Sequence, residues 1–496
     1  MKLKIYTYLT SLFFCISACN HSKDIVFSES GNEKFRPEYH FTPKTAWMND
    51  PNGMFYLDGE YHLFYQYYPD STVWGPMHWG HAVSTDLTSW EHLPVALEPD
   101  SLGYIFSGSA VVDSKNTSGL GSLDNPPIVA IFTYHDPRGE REGELDFQTQ
   151  GIAYSLDKGR TWTKYDKNPV LQNPGIKDFR DPKVQLFKDE KGNESWLMSL
   201  AVKDHIEFYS SNDLKNWIKL SEFGNKIGAH GGVWECPDLI PLKTESGETK
   251  YVLLVSINPG GPQKGSATQY FIGDFKEGVF IPDDTMIRWL DYGPDNYAGV
   301  TWSNLPSEQN RTLFIGWMSN WLYANQVPTE TWRSAMTIPR ELSLFDIDGT
   351  YLVKSSPAHE IEEIRKETYF INDNSTELPG VSVEIEATVT GEDSFELSFS
   401  NELGEEFKIS KEMGLLSVDR SNAGISDFNP DFATIHSAPM SWETEKLQIF
   451  LDAHSVEVFI NDGELVITSI LFPKSPWKSL ILSENLKNGK LYLLQK

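Results

Sequence analysis

A turn motif that recurs along the first half of the chain is the feature that most constrains its fold. Ser84 to Trp90 and Ser211 to Trp217 both read S-x-D-L-x-x-W, and Ser155 to Trp162 reads S-x-D-x-G-x-x-W. Their tryptophans are 72 and 55 residues apart, close to the length of one four-stranded sheet with its loops. Repeats of this size predict a β-propeller, and about 300 residues at this period give roughly five blades.

The apolar pattern around these motifs is typical of strands. Short runs rich in β-branched and aromatic residues alternate with turn residues, and almost no stretch keeps a helical period. The runs are Tyr61 to Tyr67, Ile128 to Tyr134, Trp196 to Val202, Tyr251 to Ile257 and Leu313 to Trp317. The Asp of each repeated motif is expected to bond its own turn, which is a structural role.

The pattern changes near Pro339, where the sequence predicts a second domain. Pro357 to Lys366 predicts a short helix, with acids early and bases late. Beyond it, apolar and polar residues alternate, and Asn461 to Gly463 is a hairpin turn. We therefore predict an all-β protein: a five-bladed β-propeller over 37–345, a linker with a short helix over 346–367 and a C-terminal β-sandwich over 368–496.

Residues 1–19 have the composition of an export signal. Two lysines precede a mostly apolar stretch from Ile5 to Ile16, which is too short and interrupted for a spanning helix. Ile16 to Cys19 resembles a bacterial lipoprotein cleavage box, so we expect lipid on Cys19 to anchor an exported envelope protein, periplasmic or at the cell surface. Ordinary secretion with cleavage nearby is the alternative. Residues 20–36 are polar and predict a tether.

Composition excludes some functions and admits others. The net charge of −28, from 42 basic and 70 acidic residues, argues against a nucleic-acid partner, because phosphate binding needs a basic face. Aromatic residues make up 13% of the chain, which suits both β-rich cores and flat platforms for sugars. Cys236 is the one cysteine outside the signal, so no disulfide is expected within the mature chain.

Three acids stand in unusually specified surroundings. Asp50 lies in W-M-N-D-P-N-G, Asp181 in F-R-D-P-K and Glu235 in G-G-V-W-E-C-P-D-L. They are separated by 131 and 54 residues, so each is expected on a different blade, and the innermost strands of a propeller converge on one axis. Any one of these acids alone fits a turn-capping carboxylate better than catalysis. Asp238 is expected to support the site.

These three motifs, in this order, resemble the signature motifs of glycoside hydrolase family 32, which includes invertases, inulinases and levanases. The resemblance extends to W-G-P-M-H-W-G-H-A at Trp74 to Ala82, F-S-G-S-A at Phe106 to Ala110, D-Y-G-P-D-N-Y-A at Asp291 to Ala298, G-W-M-S-N-W at Gly316 to Trp321 and S-V-E-V-F-I-N-D-G at Ser455 to Gly463. It implies a five-bladed propeller with a sandwich, and hydrolysis of β-fructosides (levan, inulin, sucrose or their oligomers) with retention of configuration. We expect no cofactor and no obligatory metal.

The resemblance also implies roles for residues. Asp50 is the expected nucleophile, Glu235 the general acid and base, and Asp181 the transition-state stabiliser. The positions implied to line the fructose pocket are Trp47, Asn49, Gln66, Trp74, Phe106, Ser107, Arg180 and Trp317.

The residues around the acids suit these roles. A retaining glycosidase needs two carboxyl groups about 5 Å apart, one ionised and one protonated. Asp50, among asparagines and backbone amides, is expected to stay charged, and Glu235, beside Trp234 and another carboxylate, to hold its proton. Arg180 is expected to keep Asp181 ionised through a charge-assisted hydrogen bond.

Several alternatives stay open on the sequence. Ser155 to Trp162 resembles the Asp-box of sialidases, although that family needs three arginines and a nucleophilic tyrosine. A surface glycan-binding protein with an inactive enzyme fold is the rival from another class. Trp74 to Ala82 and Gly316 to Tyr323 look more like exo-acting than endo-acting members of the family, whereas the preferred linkage, β-2,6 or β-2,1, is not determined. His62, His78 and His81 are expected in the core or the pocket wall rather than on a metal.

Overall fold

The computed structural model describes residues 33–496 except Glu190, Asn372 and Glu392. The predicted signal with Cys19, and residues 20–32 of the predicted tether, lie outside the described residues. The last part of that tether differs from the prediction, because its aromatic and cationic side chains find partners. The Phe35 ring lies 5.2 Å from that of Phe472, and the Arg36 guanidinium lies 4.7 Å above Trp332. Within the described ranges, no helix is long and apolar enough to cross a membrane.

The first three blades follow one another along the chain as antiparallel sheets. Blade one has β1 (Ala46–Leu57), β2 (Glu60–Tyr68), β3 (His78–Ser84) and β4 (Glu91–Leu97). Blade two has β5 (Tyr104–Val112), β6 (Ile128–His135), β7 (Gln148–Ser155) and β8 (Thr163–Lys164), with helix α1 (Pro137–Glu142) between β6 and β7. Blade three has β9 (Phe179–Lys188), β10 (Glu194–Val202), β11 (His205–Ser211) and β12 (Ile218–Phe223).

The last two blades complete the ring. Blade four has β13 (Val233–Lys243), β14 (Thr249–Asn258), β15 (Ala267–Lys276), β16 (Val279–Pro282) and β17 (Arg288–Trp289). Then come β18 (Tyr297–Thr301), a 3₁₀ helix (Ser307–Gln309), β19 (Leu313–Met318), β20 (Trp332–Arg333), β21 (Ala335–Met336), β22 (Arg340–Ile347) and β23 (Thr350–Pro357). All these strands belong to blade five except β20, which pairs in parallel with β1.

The first strands of the blades form the inner ring: β1, β5, β9, β13 and β18 contact one another in that order, and β18 contacts β1. The pairing of β20 with β1 ties the end of the ring to its beginning. The five-bladed β-propeller predicted from the motif spacing is confirmed.

The repeated Asp residues have the structural role that was predicted. Asp86 Oδ1 accepts hydrogen bonds from the backbone N–H groups of Thr88 and Ser89, at 2.8 and 2.6 Å. Asp157 and Asp213 accept equivalent backbone bonds in blades two and three. In each blade the motif forms the turn between the third and fourth strands.

The end of the propeller differs from the predicted boundary. Strand β23 lies where the sequence placed a linker, and it pairs with β22 from Arg340↔Pro357 to Ile347↔Thr350. Val353 and Ser355 of β23 are buried, so the alternation of buried and more exposed residues over this segment comes from a strand of blade five and not from a linker. The predicted helix is reduced to a 3₁₀ helix (His359–Ile364), because Pro357 still belongs to β23 and the backbone is extended again at Arg365.

Two six-stranded antiparallel sheets form the C-terminal β-sandwich. One has the order β24 (Arg365–Ile371), β35 (Leu486–Leu494), β26 (Val383–Val389), β31 (Lys446–Asp452), β32 (Ser455–Ile460) and β33 (Leu465–Ile470). The other has the order β25 (Ser375–Glu377), β34 (Ser479–Leu482), β27 (Phe395–Ser400), β28 (Glu406–Glu412), β29 (Leu415–Asn422) and β30 (Ile435–Pro439). Their inner faces share one apolar core that includes Ile385, Phe399 and Val458.

Candidate active site

Each of the five inner strands is interrupted by a β-bulge. In β1 the register passes from Met48↔Tyr67 to Pro51↔Tyr65, so β1 holds one more residue than its partner. The same one-residue excess occurs in β5, β9, β13 and β18. A bulge breaks the alternation of a strand and redirects its side chains. Residues from four of these five bulges line one cavity of about 230 Å³.

Three of the bulges share an unusual backbone conformation. Asp181, Cys236 and Ala298 occupy equivalent positions and have φ angles of +63°, +46° and +53°. Residues with a Cβ rarely adopt this left-handed region, which costs on the order of 1–3 kcal/mol each. Hydrogen bonds hold it in place: the Asp181 N–H donates to Thr133 Oγ1 at 2.9 Å, and the Cys236 N–H donates to Asp181 Oδ2 at 3.1 Å.

Asp50 is oriented through both of its carboxylate oxygens. Asn49 Nδ2 donates to Oδ1 at 3.0 Å, and the Ser107 hydroxyl donates to Oδ2 at 2.8 Å. Trp47 Nε1 donates to Asn49 Oδ1 at 2.7 Å, which turns the amide so that its NH₂ group faces Asp50. Burial and the charge of Glu235 raise the pKa of Asp50, against the opposing effect of Asn49 and Ser107. The sequence predicted the asparagine neighbour but not the effect of burial, which outweighs the hydrogen bonds and raises the pKa of Asp50.

The predicted bond between Arg180 and Asp181 is wrong. Arg180 donates to Asp178 Oδ1 at 2.7 Å and to Glu235 Oε1 at 3.0 Å. Its Nε lies 3.9 Å from Asp181 Oδ2, because consecutive side chains on a strand diverge. Burial raises the pKa of Asp181 to about 7; Arg180 lowers it, and Glu235 and Asp50 raise it. Asp181 is therefore partly protonated near neutral pH, and the prediction that Arg180 holds it ionised is wrong.

Glu235 is held between a cation and a phenol. Arg180 donates to Oε1 from Nε at 3.3 Å as well as from Nη2, and the Tyr297 hydroxyl donates to Oε2. Burial and the charge of Glu235 raise the pKa of Tyr297, so its hydroxyl keeps the proton that it donates. The Cys236 thiol, whose pKa is raised by burial, lies 3.7 Å from both Asp50 Oδ2 and Asp181 Oδ2. The three predicted acids are thus brought together.

The described chain matches known families over nearly its whole length. The model "Glycosyl hydrolases family 32 N-terminal domain" matches residues 40–356, and "Glycosyl hydrolases family 32 C terminal" matches residues 352–492. This chain belongs to glycoside hydrolase family 32.

Relatives and solved structures agree with that membership. The chain is 47% identical to a levanase of Bacillus subtilis (strain 168), over 95% of this chain and 71% of that protein. It is 39% identical to an extracellular exo-inulinase of Aspergillus awamori, over 91% and 92%. The crystal structure of an exo-inulinase from A. awamori superposes with a TM-score of 0.85 and 34% identity, covering 94% of this chain and 99% of that one. A fructofuranosidase from Schwanniomyces occidentalis complexed with fructose superposes with a TM-score of 0.82 and 32% identity, over 94% and 99%.

Most residues implied by the family 32 resemblance line the cavity of this family 32 hydrolase. They are Asn49, Gln66, Trp74, Phe106, Ser107 and Arg180, besides the three acids. Gln66 is buried, and its Nε2 has no partner within the described residues, so this donor is available to a ligand.

Trp47 and Trp317 lie behind the cavity instead of lining it. Both are fully buried, and Trp317 Nε1 donates to the carbonyl oxygen of Met48 at 3.1 Å. Trp321 lines the cavity, and its ring packs on Trp47 at 5.8 Å and on Trp317 at 5.0 Å. The two predicted residues therefore support the tryptophan that contacts the cavity, and Trp321, the last residue of a quoted motif, could have been found from that motif.

Other residues that line the cavity were not predicted from the sequence. The cavity is also lined by His135, Glu140, Phe147, Gln148 and Asp178. Asp178 directly precedes F-R-D-P-K, so its place at the cavity could have been predicted from that motif. Residues 135–148 belong to no motif, and only the folding of blade two brings them to the cavity.

The remaining candidates have structural partners. Asp238, which was expected to support the site, accepts hydrogen bonds from the backbone N–H and hydroxyl of Thr301 at 2.8 and 2.7 Å and pairs with Lys183 at 2.9 Å. His62 and His81 are buried and bond each other at 3.0 Å.

Two groups of possible metal ligands lie outside the cavity, and each is bridged by its own cation. Lys219 contacts Glu207 and Glu222 in the group completed by His205. Arg311 contacts Glu341 and Glu360 in the group completed by His359.

Proposed function

We propose that this family 32 hydrolase is an exo-acting β-fructosidase in which Asp50 is the nucleophile and Glu235 the acid and base. The observation that carries the proposal is the pair of carboxylates on β1 and β13 that line one cavity together with Asp181. Retaining glycosidases use such a pair. In the first step an Asp50 oxygen bonds to the anomeric carbon of a terminal fructosyl unit. The bond to the leaving oxygen breaks as Glu235 gives that oxygen its proton.

In the second step water replaces the enzyme on the sugar. Glu235, now ionised, takes a proton from the water, whose oxygen bonds to the anomeric carbon and frees the Asp50 carboxylate. Tyr297 and Arg180 orient Glu235 for both transfers. We assign to Asp181 the gripping of fructosyl hydroxyls, since it can accept or donate near neutral pH.

The size of the cavity supports exo action. Its volume of about 230 Å³ is below the range of roughly 300–1,000 Å³ of pockets that bury drug-sized ligands. A terminal sugar unit suits this volume better than the interior of a polymer. The names of the relatives, levanase, exo-inulinase and fructofuranosidase, indicate levan, inulin or other fructofuranosides as substrates.

Chromatography of the products from levan, inulin and sucrose tests this proposal. Free fructose as the sole fructan product is expected. A ladder of oligomers means an endo-acting enzyme, and relative rates on levan and inulin give the linkage preference. Fructan binding without any turnover would overturn the proposal in favour of a binding protein. A sialidase is disfavoured, because Arg180 is the only arginine among the described residues that line the cavity.

We also propose that the chain is exported and carries lipid on Cys19, which follows the small residues that end the apolar stretch. The test is labelling in cells with a clickable fatty acid. We expect label on the unmodified protein, loss of label in Cys19→Ser and normal labelling of the control Cys15→Ser. Export of an unlabelled protein would mean ordinary secretion.

A further inference from the structure

The cavity has an outer part that the catalytic steps do not use. On its floor, Asn49, Gln66 and Ser107 are at most 4% exposed. At its mouth, Trp74 is 39% exposed and the Glu140 side chain is 51% exposed. In an exo-acting enzyme the terminal sugar occupies the floor beside Asp50, so the departing sugar lies nearer the mouth.

Four residues form one continuous arc of contacts, in which His135 is buried and Trp74 and Glu140 are exposed at the mouth. Trp74 packs edge-on against Phe106, with 6.1 Å between ring centroids. Phe106 stacks face to face on His135, at 4.2 Å and 8° between planes. His135 Nε2 then lies 3.1 Å from Glu140 Oε2. The arc presents aromatic surface followed by a carboxylate, which together match the apolar face and the hydroxyl edge of a sugar ring.

Gln148 determines how His135 holds Glu140. The Phe179 N–H donates to Gln148 Oε1 at 2.8 Å, so Gln148 uses its NH₂ group to donate to His135 Nδ1 at 3.3 Å. Burial lowers the pKa of His135, so the ring is neutral and its hydrogen is on Nε2, which donates to Glu140. The Glu140 carboxylate therefore uses one of its acceptor positions on His135 and keeps the others for a ligand.

Helix α1 fixes the position of Glu140 from the other side. The Asp136 side chain caps its first turn by accepting from the Arg138 N–H at 2.9 Å, and Gly143 ends it in the left-handed conformation, with φ of +80°. Gly139 is buried against Phe147, where an added Cβ would lie 3.2 Å from the Phe147 Cβ. Capping and close packing together hold Glu140 at the mouth.

We propose that Glu140 is a specificity-determining residue that binds hydroxyl groups of the leaving sugar, and that His135 is the positioning residue that holds it there. This inference rests on the proposed exo-fructosidase function. Glu140 transfers no proton. It favours substrates whose leaving group is a second sugar over substrates whose leaving group has no hydroxyls.

The test compares leaving groups in Glu140→Ala and Glu140→Gln. We expect kcat/KM on sucrose and on a fructose disaccharide to fall about 10- to 100-fold in Glu140→Ala, as for loss of hydrogen bonds to a charged group. On p-nitrophenyl β-fructofuranoside the change should stay below about 2-fold, since that leaving group offers no hydroxyl donor. Glu140→Gln, which keeps one acceptor oxygen, should lose less.

Glu142→Ala is the matched control. It lies on the same helix, pairs with Arg138 at 3.0 Å and does not line the cavity, so all substrates should be hydrolysed at the unmodified rate. His135→Gln should reproduce the selective loss in weaker form. With an added sugar acceptor, Glu140→Ala should also transfer less fructose to sugar relative to water, because the acceptor occupies the place of the leaving sugar.

The outcomes separate the two proposals. Equal losses on sugar and aryl substrates, or no loss on either, would overturn the role of Glu140 while leaving the fructosidase intact. Failure of the unmodified enzyme to hydrolyse any fructoside would overturn the proposed function and this inference with it.

Discussion

Two buried regions of the molecule concentrate carboxylates, and they differ in how many cations face them. At the active-site cavity, Arg180 is the cation that bonds Asp178 and Glu235, with Asp50 and Asp181 close by. The other region is the seam between blade five and the sandwich, formed by Asp291, Asp295, Arg340, Arg420, Asp452, Glu457 and His40. There, three cationic or titratable partners face four acids.

The seam pairs its charges closely. Arg340 is fully buried, lies 2.9 Å from Asp291 and bonds Glu457. Burial alone would raise the pKa of Asp291 and Glu457, but Arg340 and the hydrogen bonds outweigh it, and both pKa values are lowered. In the cavity, burial wins, and the pKa values of Asp50 and Asp181 rise.

The difference separates charge that stabilises a fold from charge that is available to chemistry. In the seam, bonded partners lower the pKa values of Asp291, Glu457 and Asp452, whereas burial still raises the pKa of Asp295 although Arg420 bonds it. In the cavity, Arg180 bonds Asp178 and Glu235, and the raised pKa values of Asp50 and Asp181 bring the titration of these two acids closer to neutral pH. Both regions contain several buried carboxylates, and the cations that bond those carboxylates distinguish one region from the other.

The largest expected effect is on turnover, from neutralising an acid of the cavity. Asp50→Asn and Glu235→Gln should each lower kcat by at least about 1,000-fold, because one removes the proposed nucleophile and the other the proposed proton donor. Fructose release measures the effect, and thermal unfolding should show that the fold is intact. Near-normal activity in either variant would contradict the assignment.

The next effect is on stability, from breaking the seam. Arg340→Met leaves Asp291 buried without its cation and leaves Glu457 with His40 as its remaining ion-pair partner among the described residues, so unfolding should become easier by about 3–5 kcal/mol. Urea denaturation measures it, while kcat of the folded enzyme should be unchanged.

Arg138→Ala is the control for that prediction, because it breaks an exposed pair with Glu142 that should contribute less than about 1 kcal/mol. If Arg340→Met were no more destabilising than this control, the seam would not be a stabilising region.

The smallest expected effect distinguishes the two regions most clearly, because the stability contributions of their acids should change with pH in opposite directions. Asp181 has a folded pKa of about 7, above its ordinary 3.8, so its contribution to stability is present below about pH 4 and lost as pH rises through 7. Asp181→Asn cannot titrate, and its Tm relative to the unmodified protein should be higher at pH 8 than at pH 4.

Asp452 should behave in the opposite way. Burial would raise its pKa, but His40 and backbone N–H groups lower it to about 2, below the ordinary 3.8. Its contribution is present above about pH 4 and lost as pH falls through 2. Asp452→Asn should therefore lower Tm at pH 7, corresponding to about 2 kcal/mol. Shifts of the same sign in both variants would remove the distinction between the regions.

The sequence predicted what depends on contiguous residues. Asp50, Asp181 and Glu235 each stand in a short motif, and the spacing of Trp90, Trp162 and Trp217 follows the blades. Both features can be read from the sequence alone, because a turn and a strand are formed by residues that are close together along the chain. The fold class and the cavity acids could therefore be predicted before any coordinates.

What the sequence missed depends on contacts between distant segments. The partner of Arg180 is Glu235, on another blade. Trp317 sits in a motif beside Trp321, yet only the packing of both on Trp47 decides which one reaches the cavity. The residue pattern of β23 could not be assigned to blade five from the sequence, because that assignment depends on the pairing of β23 with β22.

The closing contact of the ring has a consequence for when the enzyme becomes active. Strand β20 pairs with Ala46 and Trp47, and Trp47 holds the amide that orients Asp50. The chain segment that completes the propeller therefore also positions Asp50, the proposed nucleophile, although about 280 residues separate the two along the chain. We therefore expect a chain in which β20 has not yet paired with β1 to contain Asp50 without its alignment. Activity thus reports a completed fold, and an assay of fructose release doubles as a measure of correct folding.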